Sequence, residues 1–101
     1  MEVLFEYRGS RRQLSVSDKE NITQVVSHEL HRLGRARAQV YTANDDLPGG
    51  EQSRRSEIYL LQKWSDQWDC YVDVAHYNEV FDGNRLAVIA RPKPPSKVQT
   101  V

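Results

Sequence analysis

Polar and apolar positions alternate from the first residues of the chain. Val3, Phe5 and Tyr7 are spaced by two, and Leu14 and Val16 resume that spacing after a short polar break. This is the period of a half-buried strand. The break reads Arg8-Gly9-Ser10-Arg11, and Gly9 can take the positive φ that the first central position of a type II′ turn requires. A Gly9-Ser10 loop pairs Tyr7 with Arg12, Phe5 with Leu14 and Val3 with Val16. Those apolar residues then share one face, and Leu4, Glu6, Gln13 and Ser15 take the other.

The period then lengthens. Ile22, Val25, Val26, Leu30 and Leu33 recur at helical spacing and form one apolar stripe. Ser17 with Glu20 reads as a capping box, which makes Ser17 or Asp18 the N-cap. Gly34 is placed to end the helix in the left-handed conformation. Arg32 and Arg35 fall where the helix dipole favours positive charge. Residues 38–42 read as a short extended strand, and residues 43–56, with Asn44, Asp45, Asp46, Pro48, Gly49 and Gly50, as a long surface loop.

The densest signal runs from Glu57 to Arg91. An apolar strand (Ile58-Tyr59-Leu60-Leu61) leads to an acidic turn from Trp64 to Asp69. A second strand (Cys70 to Val74), a helical step (Ala75 to Phe81), an Asp82-Gly83 turn and a last strand (Arg85 to Ala90) follow. Residues 92–101, with Pro92, Pro94 and Pro95 and little to bury, read as a flexible tail. The expectation is one α+β domain over residues 1–91, ordered hairpin, helix, hairpin, short helix, final strand.

Composition bounds that picture. A chain of 101 residues, 39% apolar, supports one core. Its apolar runs are far shorter than the roughly 18 residues a membrane span needs. Glu2, Glu6 and Arg8 interrupt any signal-like segment at the N-terminus. A single Cys70 offers no internal disulfide. The chain is expected in the cytoplasm or nucleus, with no membrane partner.

Charge balances at 14 basic against 14 acidic residues, which argues against a dedicated nucleic-acid binder, because such a surface needs a net basic field. No catalytic constellation stands out. His28 and His31 lie three apart on the helix without a third ligand, and Cys70 has no local base. Asn21-Ile22-Thr23 fits the glycosylation pattern by chance at a helix start. The chain is expected to be no enzyme, with no catalytic residues, cofactor, metal or small-molecule substrate.

The element order resembles ubiquitin-like β-grasp domains. Within that group, the run from Lys63 through Trp64-Ser65-Asp66-Gln67-Trp68-Asp69-Cys70-Tyr71-Val72-Asp73-Val74, with Glu79 beyond it, is similar to the Phox-and-Bem domain family of signalling adaptors. Members of that family pair front to back, an acidic turn of one domain against a basic cluster on the first hairpin of another. The resemblance implies an acidic docking motif at Asp66, Asp69, Asp73 and Glu79, and a basic side at Arg8, Arg11 and Arg12. Several carboxylates on one turn create a field that orients a basic partner. Trp68, among polar neighbours, is a candidate interface anchor unless it folds back over the sheet edge.

The leading expectation is a protein-interaction module that pairs with another domain or with itself. An alternative is a small-GTPase-binding domain of the Ras-association kind. There the second strand would extend the partner's sheet, and Arg11, Arg12, Arg32 and Arg35 would face acidic residues. A third is nucleic-acid or microtubule binding through the N-terminal arginines.

Overall fold

The computed structural model describes residues 1–45 and 57–90. They form one mixed sheet with one helix packed on it. The strands are β1 (Glu2–Tyr7), β2 (Ser10–Ser15), β3 (Ala38–Tyr41), β4 (Glu57–Ser65), β5 (Cys70–Asp73) and β6 (Arg85–Ala90), and the helix α1 spans Ile22–Arg32. Strand order is β2-β1-β6-β4-β3, and β5 also pairs with β4. β3 runs parallel to the first half of β4, Ala38 opposite Glu57 through Tyr41 opposite Leu60. β5 runs antiparallel to the second half, Gln62 opposite Asp73 through Ser65 opposite Cys70. Two strands therefore share one edge of β4, end to end. The expected short strand at 38–42 is a full member of the sheet, which the five-part order left out.

The first hairpin differs in register from the sequence expectation. Tyr7 pairs with Ser10, Phe5 with Arg12 and Val3 with Leu14. The two-residue loop is Arg8-Gly9, with φ of 49° and 83°. Two successive left-handed residues are the signature of a type I′ turn, whose twist matches the strands it joins. Moving the register by two residues returns every side chain to the same face. Val3, Phe5, Leu14 and Val16 therefore still enter the core, and hydrophobic patterning alone could not tell the two registers apart.

Ser17 and Glu20 do not form the capping box. Asp18 is the cap of a single 3-10 turn (Lys19–Asn21) that precedes α1, and its carboxylate accepts from the Glu20 amide at 3.1 Å. The Glu20 carboxylate accepts instead from the Tyr77 hydroxyl at 3.2 Å. At the other end Gly34 has φ +98°. The amides of Gly34 and Arg35 donate to His31 O (3.1 Å) and Leu30 O (2.9 Å), the paired bonds of a Schellman motif.

α1 buries Ile22, Val26 and Leu30 against Val3, Phe5, Val40, Tyr59, Leu61, Val74 and Leu86. A buried hydroxyl fastens the helix to the sheet edge. Ser27 Oγ donates to Thr23 O at 2.7 Å and accepts from the Val40 amide at 3.0 Å.

β4 extends through Trp64 and Ser65, which were expected in the turn. The expected helical step contracts to one 3-10 turn, Tyr77–Glu79, whose cap is the His76 ring accepting from the Asn78 amide. Gly83 takes φ +85°, and its amide donates to Glu2 O at 2.7 Å. That bond ties the start of β6 to the start of β1. Of the expected 43–56 loop, residues 43–45 are described: Ala43 and Asn44 donate to Val74 O and Ala75 O. The rest of that loop and the 92–101 tail lie outside the described residues. Among the described residues no helix is long and apolar enough to cross a membrane.

Candidate interaction surfaces at the two ends of the sheet

Strand directions sort the charged residues. β1 and β6 run parallel, β4 runs opposite to both, and β2 returns beside β1. One end of the sheet therefore gathers the β1–β2 turn, the C-terminus of α1, the starts of β3 and β4 and the close of β6. Arg8, Arg11, Arg12, Arg32, Arg35 and Arg37 lie there against Glu6, Glu29 and Glu57. The opposite end gathers the starts of β1 and β6, the entry to α1 and the β4–β5 turn. Glu2, Asp18, Glu20, Asp66, Asp69 and Asp82 lie there against Lys19, Lys63 and Arg85. The described part of the molecule thus has a basic end and an acidic end.

At the acidic end Asp66 and Asp69 share the β4–β5 turn with Trp68, which is 67% exposed. The tryptophan does not fold back over the sheet. Asp69 holds φ +56°, a conformation that Asp tolerates better than most residues. Asp66 accepts from Trp64 Nε1 at 3.1 Å, and the Trp68 amide donates to Ser65 Oγ at 3.3 Å. These bonds stiffen the turn while leaving its carboxylates without an ion pair among the described residues. Asp73 lies farther along β5 on the outer face, accepting from Gln62 Nε2 at 3.0 Å. Glu79 stands apart. Its carboxylate turns back onto the Ala75 amide at 2.9 Å, a local cap rather than part of the turn. Cys70 is exposed on the last rung beside the turn.

The basic cluster is divided by strand alternation. Arg11 points to the outer face and donates through Nε to Glu6 Oε2 at 2.7 Å. Arg12 points to the helix side, 3.7 Å from Glu29, which Arg32 also grips at 2.7 Å. Two guanidinium groups thus share one buried carboxylate, leaving a net positive charge. Arg8 lies over the Tyr7 ring, 5.4 Å from its centroid, and Arg35 Nε donates to the Tyr7 hydroxyl at 3.0 Å.

The outer face carries a network that the sequence reading missed. Glu6 accepts from Arg11 and, at 2.8 Å, from the Tyr71 hydroxyl. Arg85 lies 3.9 Å from the same carboxylate and 4.8 Å from the Trp64 ring centroid, and Trp64 meets Tyr71 edge-on at 5.2 Å. Trp64 is therefore a sheet-face residue, outside the core cluster. The signal for the Glu6–Arg11 pair is opposite charge on facing hairpin positions, visible only in the observed register.

Hydrogen bonds from Arg11 and Tyr71 hold the Glu6 carboxyl below its ordinary value near 4.5. The Arg32 hydrogen bond does the same for Glu29, against the opposing effect of burial. Both folded values lie below the unfolded ones. The stability they contribute is complete above about 4.5 and is lost as pH falls through the lower folded values. Thermal unfolding across an acid pH series should show this decline, and Glu6→Gln with Glu29→Gln should flatten it. An unchanged acid limb in the double variant would refute the assignment.

The His28 and His31 rings, three residues apart on α1, lie 6.1 Å from each other.

The basic end carries more than one concavity; a hollow of about 280 Å³ is lined by Arg11, Arg12, Glu29 and Arg32. β1 and β6 pair only at Leu4–Arg85 and Phe5–Leu86. Beyond those rungs a groove of about 470 Å³ opens between them, lined by Glu6 to Gly9, Tyr59 and Ala87 to Ala90. Ile89 on its wall is 50% exposed. Tyr7 and Tyr59 meet edge-on at 6.4 Å within it. Compared with known proteins, the chain matches no family model, no curated protein and no solved structure.

Proposed function

We propose that this chain is a ubiquitin-like β-grasp module of the Phox-and-Bem kind, acting without catalysis by pairing head to tail with a like domain. The observation that carries the reading is the separation of charge along the strand axis. Asp66 and Asp69 sit at one end of the sheet, Arg8 and Arg35 at the other. Oppositely charged ends on one rigid unit favour a heterologous contact, in which one patch meets a different patch on the next copy. Support for the fold assignment comes from the hairpin–helix order and from β1 and β6 lying side by side and parallel at the middle of the sheet.

Arg11 and Arg12 enter this reading differently from Arg8. Their charges are already shared with Glu6 and Glu29, so Arg8 and Arg35 carry more of the attraction. Light scattering over a concentration series tests the reading. Mass should rise with concentration at about 0.01 M salt, where the Debye length is about 30 Å, and should fall towards monomer near 1 M, where it is about 3 Å. A monomer at every salt and concentration would end the self-pairing reading.

A second reading has its own support. β2 is an edge strand of the sheet, with Arg12 and Arg32 beside it sharing a single carboxylate. An acidic strand from a nucleotide-loaded small GTPase could extend the sheet there. Titration with such a GTPase would then shift the amide resonances of residues 11–16, leaving the Trp68 turn untouched.

A further inference from the structure

We infer that the two ends meet through a specific insertion: Trp68 of one copy seats in the β1–β6 groove of the next. This rests on the head-to-tail reading above and adds to it the contact that would hold the pair.

Three observations converge on it. The first is the tryptophan itself. Trp68 is 67% exposed at the tip of a turn braced by Asp66 on Trp64 and by Ser65 on the Trp68 amide. A large apolar ring held out into water on a stiff turn loses little conformational freedom on binding. Tryptophan is also among the residues that most often dominate interface energies.

The second is the groove. At about 470 Å³ it falls within the roughly 300–1,000 Å³ of sites that enclose compact ligands, so an indole can enter with its neighbours. Its walls suit the ring: the aromatic pair Tyr7 and Tyr59, the aliphatic Ala87 and Val88, and the half-exposed Ile89. β6 is paired with β4 along this stretch, Tyr59 opposite Ala90 and Leu60 opposite Ile89, so that wall is held by the sheet.

The third is charge at the rims. Asp66 and Asp69 flank the tryptophan, and the groove is lined by Arg8 and by Glu6, whose charge Arg11 already meets at 2.7 Å. Arg35 is bonded to Tyr7 on its wall. When the ring enters, both turn carboxylates arrive among guanidinium groups. Insert and groove lie at opposite ends of the sheet, so neither blocks the other within one molecule. The contact therefore repeats from copy to copy, into chains or a closed ring.

Complementing variants test this. Trp68→Ala removes the insert and keeps the groove, whereas Ile89→Arg crowds the groove and keeps the insert. Both positions are exposed, so circular dichroism melts should match wild type; Ala87→Arg replaces Ile89→Arg should the latter melt early. At low salt, each variant alone should assemble at least tenfold more weakly than wild type. An equimolar mixture should stop at the mass of a heterodimer, one intact insert in one intact groove. Wild type that assembles while Trp68→Ala assembles equally well, or a mixture that yields no heterodimer, would overturn the insertion but leave charge-driven pairing standing. Wild type that never assembles would remove both.

Discussion

Reversing both turn carboxylates, Asp66→Lys with Asp69→Lys, is expected to weaken self-association by about a hundredfold or more at low salt. An exposed ion pair contributes about 0.2–1 kcal/mol, and a reversed charge turns that attraction into repulsion of similar size. The swing is up to about 2 kcal/mol per residue, so two reversals together reach up to about 4 kcal/mol, and a hundredfold takes about 2.8 kcal/mol at 1.4 per tenfold. Sedimentation or light scattering reads this directly. Adding Arg8→Glu to a second copy should restore pairing between the two variants, because opposite charges then face each other again. Asp69 sits at φ +56°, where lysine is strained, so Asp69→Asn serves as a control that removes charge and keeps the conformation. Unweakened association of the double-lysine variant would show that the turn is not a docking surface. Because Asp66 and Asp69 form no ion pair among the described residues, their removal leaves no buried charge uncompensated.

Phe5→Ala is expected to cost about 3–5 kcal/mol of folding stability, the range for emptying a fully buried aromatic site. Phe5 is 1% exposed, on a strand bonded to β2 on one side and β6 on the other. Its ring stacks on Tyr7 at 6.5 Å and 5° between planes, and it lies in the cluster under α1 with Leu30 and Leu86. Neighbours fixed on three elements cannot all collapse into the vacated space, so much of the cavity persists. For a small domain with about 5–15 kcal/mol of total stability, the loss approaches unfolding. Urea titration should show a lower midpoint with an unchanged slope. A shift worth less than about 1 kcal/mol would contradict the packing of β1 against the helix.

Much of the architecture was legible in short-range patterns because those patterns have short-range causes. The two-residue period in β1 and β2, the helical stripe from Ile22 to Leu33 and the Gly34 stop each follow from backbone geometry within a few residues. The Arg85–Ala90 strand emerged with the bounds the pattern indicated. The errors fell where neighbouring residues permit two answers. Gly9 can serve as either central residue of a tight loop, and a shift of two residues changes no side-chain face, so the pattern was silent on register. Ser17 and Asp18 are both good caps, and the Glu20 carboxylate was drawn away by Tyr77 from a segment 57 residues distant.

The candidate surfaces divide in the same way. Trp68 and its flanking carboxylates were legible as a cluster because one turn holds them. Arg11 and Arg12, adjacent in sequence, point to opposite faces because a strand alternates, and each found a carboxylate on a different element.

Local order in the chain sufficed for which segments are strand or helix, which faces are apolar, and which turn bears acid and tryptophan, since each depends on contacts among near neighbours. Folding alone settled the parallel seating of β6 beside β1, the gap where those strands diverge, and the gathering of arginines at one end of the sheet and carboxylates at the other. These arise from strand direction and order, which are fixed by burying one shared core among elements up to 80 residues apart, as when Asp82 accepts from the Glu2 amide.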